Sequence, residues 1–505
     1  MAIPKVCGVE TEYGILARGI ELSAVMASSL LVNAYTDHGL ALRAWDFADE
    51  APDRDAREGW RPEADYPEVD VLMANSVLTN GARYYVDHAH PEISTPECLT
   101  PLEAVVYDRA AEEIIRTSLV RANERLGTGR ELLAYKNNSD GKGNSYGCHE
   151  NYLVDRGLPF GRLAAGITAH FVSRQIFTGA GKVGVENPRD GEPRVGFQLS
   201  QRADFFEEPI GLETTVRRPI VNTRDEPHCD AARFRRLHVI VGDANMSEVA
   251  TWLKLGTTSL VLACMEDGCF PEGLSIVDPV EGIRRVSHDT SLSCALMCVD
   301  GRRRTAMELQ MEILRCVRRW RDSADDDAVN GESEGILRAW QSVLEGLDGD
   351  PLSVADVVDW VAKKRIVDSL AERECLGADH PRLKAVDIQY HDMRPERCLA
   401  SRVGLRRLTG DGDVVRAIVE PPPTTRAYFR GECIRRWPSE VSSANWDSIV
   451  FDTGQNVLQR VPMMDPLKGT RALVGPLLDA ARSVDDLLDS LGAAAVEDVS
   501  IDPGW

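Results

Sequence analysis

The sequence predicts an α+β fold, on three observations. Short segments such as GVETEYG and RYYVD alternate charged and apolar residues with the period of two that a half-buried strand requires. Longer segments place Ser or Thr directly ahead of an apolar helical pattern, the mark of a capped helix. Strand and helix candidates are mixed along the 505 residues, and no internal repeat is visible.

Taken in order, PKVCGVETEYGI reads as a strand and an apolar helix-like segment follows over 22–44. Residues 45–70 hold ten acidic residues, three arginines and three prolines without a sustained period, a composition that predicts a mobile loop rather than core. RYYVD is the next strand. The run from Thr100 opens a long helix, with Thr100 as N-cap, Pro101 at N1 and Glu103 at N3, a capping box. LLAYKNN, ENYLV and RRLHVIVGD read as strands. Helices are expected at SEVATWLKLGTTSLVLACMED with Ser247 as cap, at TAMELQMEILRCVRRWRD and at VADVVDWVAKKRIVDSL, with a surface loop at 325–335. After about residue 425 the chain restarts with WDSIVF and a final amphipathic helix from Thr470. This predicts a large domain over 1–424 and a small C-terminal domain over 425–505.

Net charge is −22 with a pI near 5.0, which disfavours nucleic acid as a general partner. The twelve cysteines form no CxxC pair, and the apolar run LSAVMASSLLVNAY is too short to span a bilayer. No signal peptide precedes MAIPKVCGVETEYG. A cytoplasmic protein with reduced, mostly buried thiols is expected, with no membrane partner.

Alternation also sorts the candidate chemistry. Residues i and i+2 of a strand share a face, so Glu10 and Glu12 lie together, as do Arg83, Tyr85 and Asp87. Neighbouring carboxylates on a buried face need cations, and Mg²⁺ suits carboxylate and phosphate oxygens; the alternative is an edge strand with a solvated face. His88 and His90 form an HxH that could open a zinc site with His149, His170, His228 or His238; they could equally pack a loop. TGAGKVG contains GxGxxG but cannot open a helix afterwards, and NNSDGKGNSYGCHENY is a hairpin or a ligand loop. Arg224 could steady phosphate charge and His238 could reach a metal. The arginines at 302–304 and 318–321 are either a solvated helix face or a surface for an acidic partner.

GVETEYG, RYYVDHAHPEIST, NNSDGKGNSYGCHENYLV, TRDEPHCD with RRLHVIVGDAN, and NWDSIVFD occur in this order. Together they closely resemble the actinobacterial family formed by the Pup ligase and its sister, the Pup deamidase or depupylase. The resemblance implies a glutamine synthetase-like large domain, with a curved, mainly antiparallel sheet against helices, and a small C-terminal domain contributing to the nucleotide site. It implies ATP and Mg²⁺ as cofactors, Pup and pupylated proteins as partners, and a link to the bacterial proteasome. By position it implies Asp87 as the catalytic residue and Glu10, Tyr85 and Glu92 as metal contacts. Arg83, Thr95 and Trp446 then touch ATP, and Glu12, His238 and Arg224 follow by analogy with the wider ligase superfamily.

Between the sisters, the ligase reads DVGSHPE and the depupylase DHAHPE, one residue shorter; this chain has DHAHPE, with the acidic stretch 45–70 where the depupylase carries an extra loop. Ile93 departs from an expected tyrosine. The reaction implied is hydrolysis at the side-chain carbonyl of Pup's C-terminal residue, either a glutamine amide or an isopeptide bond to lysine, with ATP required but not consumed each turnover. An ATP-consuming carboxylate–amine ligase and a non-catalytic nucleotide-binding regulator are the alternatives.

Overall fold

The computed structural model describes residues 2–36, 43–47, 50, 54–57, 74–186, 188, 195–324, 327–492 and 495–500. The main strands are Cys7–Glu12 (β1), Arg43–Trp45 (β2), Asn75–Val77 (β3), Arg83–Asp87 (β4), His90–Ser94 (β5), Cys148–Asp155 (β6) and Phe234–Val239 (β7). Val441–Ala444 (β8), Ser448–Phe451 (β9), Val457–Pro462 (β10) and Glu497–Ser500 (β11) complete the set. Among the described residues they form one 11-stranded sheet in the order β7-β6-β1-β5-β4-β3-β2-β8-β9-β10-β11. Every neighbouring pair is antiparallel except β2 with β8, which is parallel.

One sheet face is apolar and packed. Val9, Cys148, Tyr152, Leu237 and Val239 are buried against the helices Phe160–Ser173, Glu248–Glu266, Ala306–Ser323 and Ser333–Gly349. Tyr84, Val86 and Ile93 are buried against the helices Ala24–Thr36 and Pro101–Leu126. The opposite face of β1, β4, β5, β6 and β7 carries the polar members of each alternation, and the candidate site is built there.

Local chemistry departs from expectation at several points. GVETEYGI is two strands, since the chain leaves the main sheet at the buried Tyr13 and Gly14–Arg18 pairs with Glu131–Tyr135. A side chain at Gly14 would start 2.5 Å from the Tyr146 hydroxyl, so only glycine fits that switch. Thr100 does cap its helix, accepting from Glu103 N, but the Glu103 carboxylate accepts from Leu99 N and the Thr424 hydroxyl, so the box does not close on Thr100. The complete capping box lies at Thr305 and Glu308. Ser247 caps as expected. The C-terminal helix is two, Arg471–Ala480 and Val484–Leu491, with Ala481 extended between them. Most of 45–70 lies outside the described residues. Its described pieces touch the body: Ala56 N donates to Thr223 O and Asp225 N donates to Arg54 O, each at 2.8 Å. None of the described helices is long and apolar enough to cross a membrane.

The C-terminal strands reach the site because of two joins. One is the parallel β2–β8 pairing; Trp45 and Val77 complete the apolar cluster that Phe429, Ile434, Ile449 and Phe451 form. The other is ionic. Glu97, in the loop after β5, accepts from Arg426 Nε at 2.7 Å and Arg430 Nη2 at 2.5 Å. Both arginines are buried, and Arg430 also donates to the carbonyls of Gly81 and Trp446. Burial raises the Glu97 pKa, but the two guanidiniums outweigh it and hold the carboxyl down at about 2.

Because that value lies below the roughly 4.3 of an unfolded glutamate, the clamp's stabilisation is present above pH 4.3 and fades as pH falls toward 2. Glu97→Gln leaves two buried cations uncompensated and is expected to cost about 3 kcal/mol near pH 7. Chemical denaturation of both proteins from pH 7 to 3 checks this: the gap narrows with acid, and a constant gap removes the clamp's assigned role.

Candidate active site

Strand register gathers the polar face into rows. Tyr85 pairs with Glu92, and Glu92 with Glu12; Arg83 pairs with Ser94, Ser94 with Glu10, and Glu10 with His149. Asp87 pairs with His90 across the two-residue turn His88–Ala89, where His88 adopts a left-handed φ of +50°. The short DHAHPE spacing thus brings Asp87 directly opposite His90. His88 Nδ1 lies 2.7 Å from Asp87 Oδ2, beside a carboxylate that remains 37 % exposed.

Two groups of potential cation ligands follow, each with its ligand atoms within 4.8 Å of one another: Glu12, Asp87 and Glu92, and Glu10, His149 and His238. The first group divides its charge. Glu12 is desolvated, yet His90, 3.3 Å away, together with His149 and Arg202, holds its pKa down at about 2. Gly147 N also donates to Glu12 at 2.7 Å, and a side chain at Gly147 would collide with both Glu12 and His149. Glu92 is buried with Asp87, Glu12 and Glu10 around it; desolvation and those carboxylates push its pKa well above the usual range and favour its protonated form.

In the second group, the His149 hydrogen bond and the Arg236 charge oppose the burial of Glu10, and its pKa falls well below the usual carboxylate range. Asn151 fixes the geometry: its Nδ2 donates to Glu10 at 2.7 Å, while its Oδ1 lies 3.0 Å from Arg236 Nη1 and 3.1 Å from His238 Nδ1. Burial lowers the His238 pKa well below its ordinary value, which leaves the neutral imidazole that a metal requires.

Tyr85 shares the row with Glu92, and burial raises its pKa, so it offers a neutral hydroxyl. Arg83 is sandwiched, its guanidinium carbon 4.0 Å from the ring centroids of both Trp45 and Tyr85, and its Nε donates to Asn75. Trp446 stands edge-on to Trp45 at 5.2 Å. Thr95 accepts from Val9 N at 2.9 Å. Thr95, Trp446, Glu10, His228 and Arg426 line a cavity of about 90 Å³ at this end. At the other end Asp87, Glu12, His149, Arg202 and Arg218 line one of about 500 Å³. Arg224 lines neither cavity; its backbone pairs with that of Asp55 in an isolated β-bridge, and its Nε lacks a hydrogen-bond partner among the described residues.

Sequence reasoning named neither His149 in this group nor Asn151 and Arg236. The signal was available: HEN within CHENY places His149 and Asn151 on one face, as ETE does Glu10 and Glu12. The zinc constellation does not assemble. His88 and His90 belong to neither group, and His170 lies in the core beside Thr258. NNSDGKGNSYG is a hairpin, closed by a Ser139–Ser145 bridge, that also lines the larger cavity. Of the basic run, Arg304 is buried on Asp300 and Glu312.

Residues 5–450 match the family model described as Pup-ligase protein. The chain is 49% identical to the depupylase of Acidothermus cellulolyticus and 44% identical to the Pup deamidase/depupylase of Mycolicibacterium smegmatis, each over 96% of this chain and 99% of the relative. Among solved structures, the Pup ligase PafA in complex with Pup aligns with a TM-score of 0.78 at 30% identity, covering 97% of this chain and 96% of that one. PafA in complex with ADP aligns with a TM-score of 0.73 at 33% identity, covering 83% and 96%. On sequence and fold together, the chain belongs to the Pup-ligase protein family.

Proposed function

We propose that this chain hydrolyses the side-chain amide of the C-terminal glutamine of Pup, leaving glutamate, and the isopeptide bond between Pup and a target lysine. The observation that carries the reading is near-full-length identity of 44–49% to proteins named for these activities, against 30–33% to the ligase structures. The two-residue turn after Asp87 supports it. The same reading carries a cytoplasmic enzyme in the proteasome pathway, with a catalytic unit over 1–424 and a C-terminal unit over 425–505 that completes the nucleotide end.

In this reading ATP sits at the end marked by Trp446, Thr95 and Arg83, with Arg224 toward its phosphates. Arg83 is preorganised by its two flanking rings, and the partnerless Nε of Arg224 fits an anionic ligand. Glu10, His238, Tyr85, Glu92 and Glu12 are the proposed Mg²⁺ contacts, joined by His149. The donor set fits, since it combines clustered carboxylates with a neutral imidazole, and one carboxyl is held protonated only while no cation faces it. When bound, Mg²⁺ would supply positive charge that polarises phosphate and carbonyl oxygens.

Asp87 is the reacting carboxylate. It faces the larger cavity and is oriented through its second oxygen by His88. There it either attacks the amide carbonyl carbon, expelling ammonia or the lysine amine and forming an anhydride that water then hydrolyses, or takes the proton of a water that attacks the carbon directly and passes it to the leaving amine; both routes end in a substrate carboxylate and a restored Asp87.

Two experiments test this. With Mg²⁺, ATP and Pup ending in glutamine, ammonia is expected without stoichiometric ADP; ADP with new isopeptide bonds establishes the ligase reading instead. Asp87→Asn should lower turnover by at least about 10²–10⁴-fold with ATP affinity unchanged, and an active variant overturns the assignment. Separately, Mg²⁺ binding at pH 7 should displace the Glu92 proton, so Mg²⁺ affinity rises with pH. Calorimetry in buffers of different ionisation enthalpy reads that release; it should vanish in Glu92→Gln, and its absence from the wild type removes Glu92 from the metal set.

A further inference from the structure

The reaction described above leaves one pair of nucleophilic side chains without a role. Cys264 stands in the last turn of the helix Glu248–Glu266 and Cys316 inside the helix Ala306–Ser323, and their sulfurs are 4.0 Å apart. Both helices pack on the apolar side of the sheet, away from the carboxylate rows. Cys264 is fully enclosed, while Cys316 keeps 6% exposure. The Cys316 Sγ lies 3.3 Å from the carbonyl oxygen of Cys269, in the turn after the first helix, and the thiol of Cys269 is itself exposed. Gly268 in the same turn has a φ of +70°, and a Cβ there would meet nothing within 4 Å, so this turn borders open space. The two thiols are not equivalent. The hydrogen bond with Cys264 and the guanidinium of Arg319 lower the Cys316 pKa against partial desolvation, while the same bond and burial raise that of Cys264. Cys316 therefore ionises first, with a second thiol in contact with it. Cys7 and Cys98 also face each other, across a backbone bridge, but burial raises both of their pKa values well above the thiol range.

We propose that Cys264 and Cys316 form a reversible disulfide driven by hydrogen peroxide, with Cys316 as the thiol that is oxidised and Cys264 as the thiol that resolves it. The Cys316 thiolate attacks one peroxide oxygen and breaks the O–O bond. This gives a sulfenic acid and hydroxide, which takes up the proton that Cys316 lost and leaves as water. The Cys264 sulfur then attacks the sulfenic sulfur, the S–O bond breaks, and the hydroxyl leaves as a second water with the Cys264 proton. Two thiols lose two electrons, and one peroxide is reduced to two waters. A dithiol reverses the bond by exchange. Bonding shortens the sulfur separation from 4.0 Å to about 2 Å, and the place of Cys264 in a terminal helical turn puts that shift at a helix end. The link closes residues 264–316 into a covalent loop between two core helices, which restricts the unfolded chain and stabilises the fold. It touches neither Asp87 nor the groups proposed for Mg²⁺ and nucleotide, so it acts on stability rather than on the chemistry. A transient disulfide of this kind suits a reducing compartment, where such bonds serve as redox sensors.

The test treats the folded full chain with a small excess of hydrogen peroxide, blocks the remaining thiols by alkylation and maps the peptides by mass without reduction. A cross-linked Cys264–Cys316 peptide is expected, lost again after dithiothreitol. The oxidised protein should melt at a higher temperature than the reduced one, and the gap should vanish on reduction. In Cys264→Ser the sulfenic acid has no resolving thiol, so a dimedone label should collect on Cys316. Cys269→Ser should leave the cross-link intact. Absence of the Cys264–Cys316 peptide from oxidised, folded wild type overturns the proposal, and this mapping decides it even if a variant fails to fold. A disulfide from Cys269 to either partner in its place also overturns it, as does dimedone on Cys269 but not on Cys316 in Cys264→Ser.

Discussion

Everything at this site follows from placing carboxylates at alternate positions of neighbouring antiparallel strands. Glu10 and Glu12 on β1, Glu92 on β5 and Asp87 on β4 are brought to one sheet face by register alone. Such a face cannot be buried fully charged. The protein resolves this in three ways. Imidazole and guanidinium groups flank Glu10 and Glu12, Glu92 is pushed toward its protonated form, and Asp87 stays partly exposed at the hairpin turn. The surroundings of the rows, from the Asn151 bridge to the glycine at 147, are the packing that this arrangement requires.

The rows also divide the site. One end is aromatic and polar, with Trp446 edge-on to Trp45 and Arg83 over the Trp45 ring; the other is a wider, cation-walled cavity. Asp87 opens on the second end, while Glu10 borders the first. In the proposed function, a nucleotide and a peptide-like substrate approach from opposite sides and meet over one set of acids. That arrangement suits a family in which relatives make or break the same kind of bond.

The catalytic strands were legible because their signal is local. A strand's period of two makes ETE and RYYVD expose their charged residues together, and every candidate site residue on these strands lies on the polar face. Where the signal depends on partners, reading failed. Nothing near Glu103 says that its carboxylate will turn to Leu99 and Thr424, and nothing in RRRT says that Arg304 will be enclosed by Asp300 and Glu312. His149 was named only as a partner for a zinc site at His88 and His90, since its place opposite Glu10 in the next strand is set by register. A histidine-rich turn drew attention that belonged to its neighbours.

The sequence by itself determined the α+β class, the alternation that collects the acids, the turn length after Asp87 and the family. Each of these resides in residues adjacent along the chain, where sterics and periodicity act directly. The tertiary structure decided which acid is pushed toward its protonated form, which histidines stand by Glu10, and how Glu97 fastens the C-terminal strands beside Trp45. These depend on desolvation and on charges brought together from positions hundreds of residues apart, and only the folded chain sets those distances.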